Sequence, residues 1–325
     1  MSQYVATPGD LKMGMKLPSI KPSAMWSKAW FVDYDNGNNG NSMVNSPEFP
    51  MKTLTGALAK MGRGDVVYLR PRPYSGTDPQ GILDNAVVPI ALQGISIIGS
   101  GPQSFDPFDM QLRGAAAGAI LTVRAPQISI ENLCFNRGNS TTGHIRLESS
   151  STDATKKAWG INIFNCHIRN GNIKATAGGA LYADNVWYLN IEKCVFVGNQ
   201  TAIALFASVD SIQNVRIANC DFLHTAAAGV AGIDCHIFGN VLCNQIRITF
   251  CYFPGTVPTG LAGATISRYM TLTGCEKGSV DNCIFAAAAA GTFGATGNNA
   301  IIPTTVVIAN NYREDAVANV PIIRT

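Results

Sequence analysis

Ile161–Ile168 reads Ile-Asn-Ile-Phe-Asn-Cys-His-Ile, and the chain repeats that phrase. Copies stand at Leu189–Phe196 (LNIEKCVF), Val215–Phe222 (VRIANCDF), Ile246–Phe253 (IRITFCYF) and Gly278–Phe285 (GSVDNCIF). Looser ones are Ile128–Phe135 (ISIENLCF) and Val306–Arg313 (VVIANNYR), and Ile95 (ISIIGS) and Val66 (VVYLRP) begin the phrase without completing it. Within a copy apolar and polar residues alternate, the period of a strand with one buried face. The copies start about 26 to 33 residues apart, the spacing of a solenoid whose turns bury their apolar faces by stacking on one another. Leucine-rich repeats share that spacing, but their leucine-asparagine phrase is missing, and so are the amphipathic stretches of helical repeats. A single-stranded parallel β-helix of about nine coils is what remains.

Composition agrees. Of 325 residues 46% are hydrophobic and only 14% charged, and 32 are glycine. A solenoid turns much of each coil inward and needs many tight turns, where Gly and Asn tolerate positive φ. The net charge of +3 is small and scattered, which argues against nucleic acid as a partner.

Cys166, Cys194, Cys220, Cys251 and Cys283 occupy one position of the repeat, where other copies carry Leu133 and Asn311. With no CxxC pair, this column reads as small apolar residues at an inward corner, and neither metal nor cofactor is expected. Reduced cysteines suit folding in a cytoplasm. Asn132, Asn165, Asn219, Asn282 and Asn310 stand just before the corner, where their amides are expected to form a hydrogen-bonded ladder. No charged-then-apolar leader and no apolar run long enough for a membrane is present, so neither export nor a membrane location is expected.

The chain divides into three parts. Residues 1–28 lack any strand or helix period, yet carry Met13, Met15, Leu17, Ile20, Met25 and Trp26. That is more apolar bulk than a solvated tail needs, so these six are expected to be an extended arm's partner-binding residues. Residues 29–62 hold a first strand (WFVD), an Asn/Gly loop and a helix at Pro50–Met61, and residues 63–325 hold the solenoid. Asp33, Asp35, Asn36, Asn38 and Asn41 miss the spacing of a calcium loop and read as a turn. Gly99–Gly118 is expected to protrude as an insertion.

Phe31-Val-Asp, the Asn/Gly loop, Pro50 before Thr53–Leu58, Gly64–Leu69 and Pro73-Tyr74 together resemble the entry of pectin-lyase-like right-handed parallel β-helices. The resemblance covers about residues 30–313. It implies that the helix caps the first coil, hiding a sheet edge that would otherwise pair with another chain. Function is left open, because that superfamily includes lyases, hydrolases, esterases, phage tailspikes and non-enzymatic virion proteins.

Sugar-cleaving β-helices need paired carboxylates, or an arginine base near calcium-binding aspartates. The chain lacks the acidic phrases of polygalacturonases and pectin esterases. The best residual group is Glu148, Asp184 and Asp234 with His236 and Arg268, which would line a groove if their strands stacked in register. His144, His167 and His224 form no metal pattern. Trp159, Trp187 and Tyr188 fit core or subunit contact better than a sugar platform. The leading expectation is therefore a non-enzymatic phage virion protein, a capsid decoration protein or fibre with no catalytic residues. It is made in the host cytoplasm and held to the major capsid protein or another shell component by the arm. The resemblance further implies a homotrimer; a host-surface glycan is a further candidate partner. The alternative is a polysaccharide-degrading tailspike or lyase using Glu148, Asp184 and Asp234.

Overall fold

The structure, a computed structural model, describes residues 28–70, 82–99, 111–113, 118–136, 143–169, 179–223, 233–239, 242–253, 266–286, 293–294, 300–314 and 319–321. The arm's six apolar residues, His224, most of Gly99–Gly118, and Pro73 and Tyr74 lie outside that set. Each complete coil has three strands, seen in one coil as Trp159–Phe164, His167–Arg169 and Leu181–Asp184. Stacked coils form three long sheets of ten, ten and nine strands, called here first, second and third in the order the chain visits them. Every named strand pair is parallel except the last, Tyr312–Glu314 with Asn319–Pro321. The chain is a parallel β-helix.

Its interior is built from columns of one residue type. On the second sheet Phe135, Phe196, Phe222, Phe253 and Phe285 are all buried, with Ile168 completing the column between Phe135 and Phe196. The rings of Phe196, Phe222, Phe253 and Phe285 lie 4.7–5.0 Å apart and within 7° of parallel. Each such side chain is worth roughly 1.5–3 kcal/mol on burial, and stacking adds about 0.5–1.5. The parallel ladder fixes ring spacing at one strand separation, so a column of one shape packs without voids.

The five repeat cysteines form the inward corner column, all essentially buried and all free. Each thiol points at a carbonyl of the preceding coil, as Cys220 does at Ile191 O, 3.7 Å away. Burial pushes the thiols of Cys194 and Cys220 well above their ordinary range. At the end of the column Asn311 takes the same place, donating to Val280 O at 2.7 Å and accepting from Cys283 N–H at 2.8 Å.

The asparagine column works differently from the expected amide ladder. One amide pair is present, Asn165 Nδ2 to Asn132 Oδ1 at 2.8 Å. What all corner residues share is positive φ, from 52° to 58°, and that includes Lys193 and Phe250. Backbone amides run along the axis instead, Asn165 N–H donating to Glu192 O and Asn219 N–H to Thr249 O. Asparagine recurs there because it adopts left-handed backbone at low cost.

The helix is shorter than the apolar stripe suggests. It spans Leu54–Leu58, capped by Thr53, whose hydroxyl accepts Gly56 N–H at 2.9 Å. Met51 instead bridges Val32 in strand fashion. Leu54, Ala57 and Leu58 join the main core beside Trp30 and Val32. The preceding loop is a turn closed on Asp33, whose carboxylate accepts from Asp35 N, Asn36 N and Arg70.

Candidate functional site

Glu148 and Asp184 are register partners on adjacent third-sheet strands, Ile145–Glu148 and Leu181–Asp184. Between and beside them Leu147 and Ala183 point into the core, so strand alternation puts both carboxylates on the outer face. Each is already engaged. Glu148 sits between two guanidinium groups, 2.8 Å from Arg124 Nε and 2.6 Å from Arg146 Nε. Asp184 accepts from Ser208 N–H at 3.0 Å and from its hydroxyl at 2.8 Å.

Asp234 does not join them. Asp184 pairs with Phe206, and Leu205 pairs with Gly239. The Asp184 row therefore lies beyond that of Gly239, the strand's last residue, and Asp234 stands five residues before Gly239, about 17 Å along the strand. His236 is also elsewhere: it is buried inside the coil, its ring 5.4 Å from Phe222 and 6.5 Å from Tyr269. Arg268 pairs with Cys235, in line with neither carboxylate. Among the described residues, no three His, Cys, Asp or Glu side chains are placed to hold a metal ion.

The same outer face carries an aromatic ladder that sequence reading missed. Tyr182 and Phe206 stack with centroids 5.0 Å apart, Phe238 follows at 5.8 Å, and Arg146 lies over Tyr182 at 4.9 Å. All three rings are half-buried. Burial, then the nearby Asp184 charge, pushes the Tyr182 phenol above its ordinary range. Alternation within Leu181–Asp184 and Thr201–Phe206 was the available signal.

Trp159 and Trp187 are register partners at a corner, 36% and 43% exposed, with Tyr188 beside them at 59%. They are not core. Tyr188 holds φ +57° at a position where other coils have Gly64, Gly94, Gln127, Gly160 and Asn214, all with positive φ.

The second sheet shows a third kind of surface. Its outer row runs His167, Val195, Asp221, Tyr252, Ile284, Tyr312 in register. Ile284 and Tyr312 are 40% and 42% exposed, and Leu223 in the neighbouring row 38%. The charged residues in these rows are Arg113, Arg169, Asp221 and Glu314, besides His167.

No protein-family profile and no curated protein sequence matches the chain. Among solved structures it is similar to ORF18 of Geobacillus virus E2, with 13% identity and a TM-score of 0.40 over 77% of this chain and 53% of that one. A rhamnogalacturonan lyase matches with 13% identity and a TM-score of 0.48 over 83% and 70%. Pectate lyase Pel9A matches with 15% identity and 0.44 over 86% and 79%. The chain spans about half the length of the phage protein. The stacked three-sheet topology establishes the fold; these likenesses are of that architecture.

Proposed function

We propose that the chain is a non-enzymatic structural protein of a bacteriophage virion, a homotrimeric decoration or fibre protein on a virion shell. The observation that carries this reading is the largely apolar outer face of the second sheet: Tyr252, Ile284 and Tyr312 run in register, with Val195 beyond Asp221 in the same row and Leu223 in the next. An apolar strip running along a rigid rod fits side-by-side packing of identical copies, where water would otherwise meet several large side chains. The engaged state of Glu148 and Asp184 supports it too, because both carboxylates are committed to contacts within the fold, Glu148 to two guanidinium groups and Asp184 to Ser208.

Light scattering on the purified full chain tests the assembly, with three chains per particle expected. Leu223→Asp with Ile284→Asp should give single chains of unchanged far-ultraviolet circular dichroism. A monomeric wild type would sink the trimer, and failure of an antibody to label purified virions would sink the location.

The aromatic ladder favours a second reading, a polysaccharide-binding or polysaccharide-cleaving spike, since sugar faces stack on rings such as Tyr182 and Phe206. Release of unsaturated or reducing ends from acidic polysaccharides, abolished by Asp184→Asn, would put that reading first.

A further inference from the structure

Strands Ala29–Val32, Val66–Leu69 and Ser96–Gly99 open the first sheet. Trp30, Val32, Val67, Leu69 and Ile97 face the core, so alternation places Phe31, Val66, Tyr68 and Ile98 on the outer face. These four pack together as a separate apolar cluster, with Ala29 at its edge. Although outward, they are only 6–9% exposed. Farther along the same two rows stand Asn162, Asn190, Arg216, Arg247 and Val307, with Glu131 and Glu192 in the companion row. There Arg247 is exposed and Val307 59% exposed, and the large outer side chains are not covered, although the small Ala218 and Thr249 of the companion row are buried.

We propose that residues 1–27 of the same chain pack across this cluster and form the outer wall of the first three coils. The chain enters at the cluster's edge. Lys28 is pinned there, its N–H donating to Asp65 Oδ1 at 3.0 Å and its carbonyl accepting Val66 N–H at 2.9 Å. Asp65 is held in turn by Trp30 Nε1 at 3.0 Å and Gly62 N–H at 2.8 Å. Three strands are about 10 Å across, and a residue of extended chain spans up to about 3.6 Å. Met25 and Trp26 therefore reach Val66 and Phe31 without strain, and the remaining residues are enough to bring Ile20 and Leu17 over Tyr68 and Ile98. Charge also fits: Glu131 stands at the rim, in register with Ile98, and the arm carries Lys12, Lys16 and Lys21 against one acid, Asp10. Residues 71–81 and 100–110 are less suited, because each joins a first-sheet strand to a second-sheet strand and is tied at its far end around the corner.

This assigns the six apolar residues of the arm a place within their own chain rather than on a capsid. It does not depend on the virion role, since the contact is intramolecular in any assembly.

Limited trypsin digestion of the full chain, read by mass spectrometry, tests it at Lys12 and Lys16, Lys21 being shielded from trypsin by Pro22. Cleavage should be slow in the wild type and at least ten-fold faster in Tyr68→Glu with Ile98→Asp, while circular dichroism is unchanged. Ile98→Ala serves if the double variant fails to fold, with a smaller acceleration expected. Equal, fast cleavage in wild type and variant would overturn the proposal and leave another segment as the cover. Ala24→Cys with Ser96→Cys, joined by a short bismaleimide, should give an adduct of one chain's mass, the native cysteines being buried. An adduct of two chains would mean that another copy's arm lies there, which overturns the intramolecular contact.

Discussion

The first sheet has one inner face and two outer ones. Inside, Val67, Ile97, Ile130, Ile163, Ile191, Ile217, Ile248 and Val280 continue a single buried row from one end to the other. Outside, the first three coils present Phe31, Tyr68 and Ile98, and the later coils present Asn162, Asn190, Arg216 and Glu192. The later residues bond to each other: Asn190 Nδ2 donates to Asn162 Oδ1 at 2.7 Å, and Arg216 donates to both Asn190 and Glu192 at 2.7 Å. Backbone and register are alike in the two regions, so the coil is set by the inner row. What lies against the coil is set by the outer row. In the later coils that row is a self-satisfied polar ladder with Arg247 and Val307 exposed; in the first three it is a set of apolar side chains only 6–9% exposed.

A charge placed inside should therefore be equally damaging in both regions. Cys220→Asp would bury a carboxylate between Cys194 and Cys251, at a cost of several kcal/mol unless it stays protonated. Ile97→Asp should cost as much in the apolar-faced coils, whereas Cys220→Ala should cost only about 1–2 kcal/mol. Urea denaturation followed by circular dichroism measures all three. An aspartate tolerated at either position with an unchanged midpoint would break the shared interior.

Outer substitutions should separate the regions. Tyr68→Ser removes a ring that is 6% exposed, with a predicted loss of about 2–3 kcal/mol. Asn162→Ser in the later coils should cost under about 1 kcal/mol, the worth of its bonds to Ser129 and Asn190. Equal losses would show that the two outer faces do not differ in what covers them.

The repeat, the cysteine column and the corner asparagines were legible because each recurs in the same place in most coils, and recurrence is what a stacked ladder imposes. The apolar outer cluster was legible in principle. VVYL and SIIG are near-continuous apolar runs, the mark of strands buried on both faces, but they read instead as incomplete copies of the repeat. The misplacement of Asp234 was not readable. Coils differ in length, so sequence spacing does not reveal register across an insertion. Nor do Tyr188 and Phe250 announce their backbone, because aromatic side chains give no local signal for left-handed φ.

Phe250 offers a gain in stability rather than a loss. It is 61% exposed, holds φ +53°, and lies between Asn219 and Asn282 in the corner column. Left-handed backbone costs an ordinary residue about 1–2 kcal/mol and asparagine less. Phe250→Asn should raise the denaturation free energy by about 1 kcal/mol. A lower melting temperature would mean that the exposed ring makes a contact worth more than the strain it brings.

The smallest expected effect concerns the polar ladder of the later coils and its dependence on pH. A hydrogen bond from Arg216 holds the Glu192 carboxyl below the ordinary carboxylate range, against a smaller opposing push from burial. A group whose folded value is lowered gives stability that is complete above its unfolded value, and that stability is lost as pH falls toward the folded one. The native chain should therefore lose stability on acidification from about pH 6 to pH 3, and Arg216→Ala should lose less over that window. At neutral pH the variant should be weaker by under about 1 kcal/mol, because Arg216 is 42% exposed and solvent screens the pair. Asp33 and Asp281 are lowered too, their donors outweighing the push from burial, but both are present in either protein and cancel in the difference. Parallel pH profiles for the two proteins would show that the arginine merely lies along the outer face, and the polar ladder would then have no ionic rung.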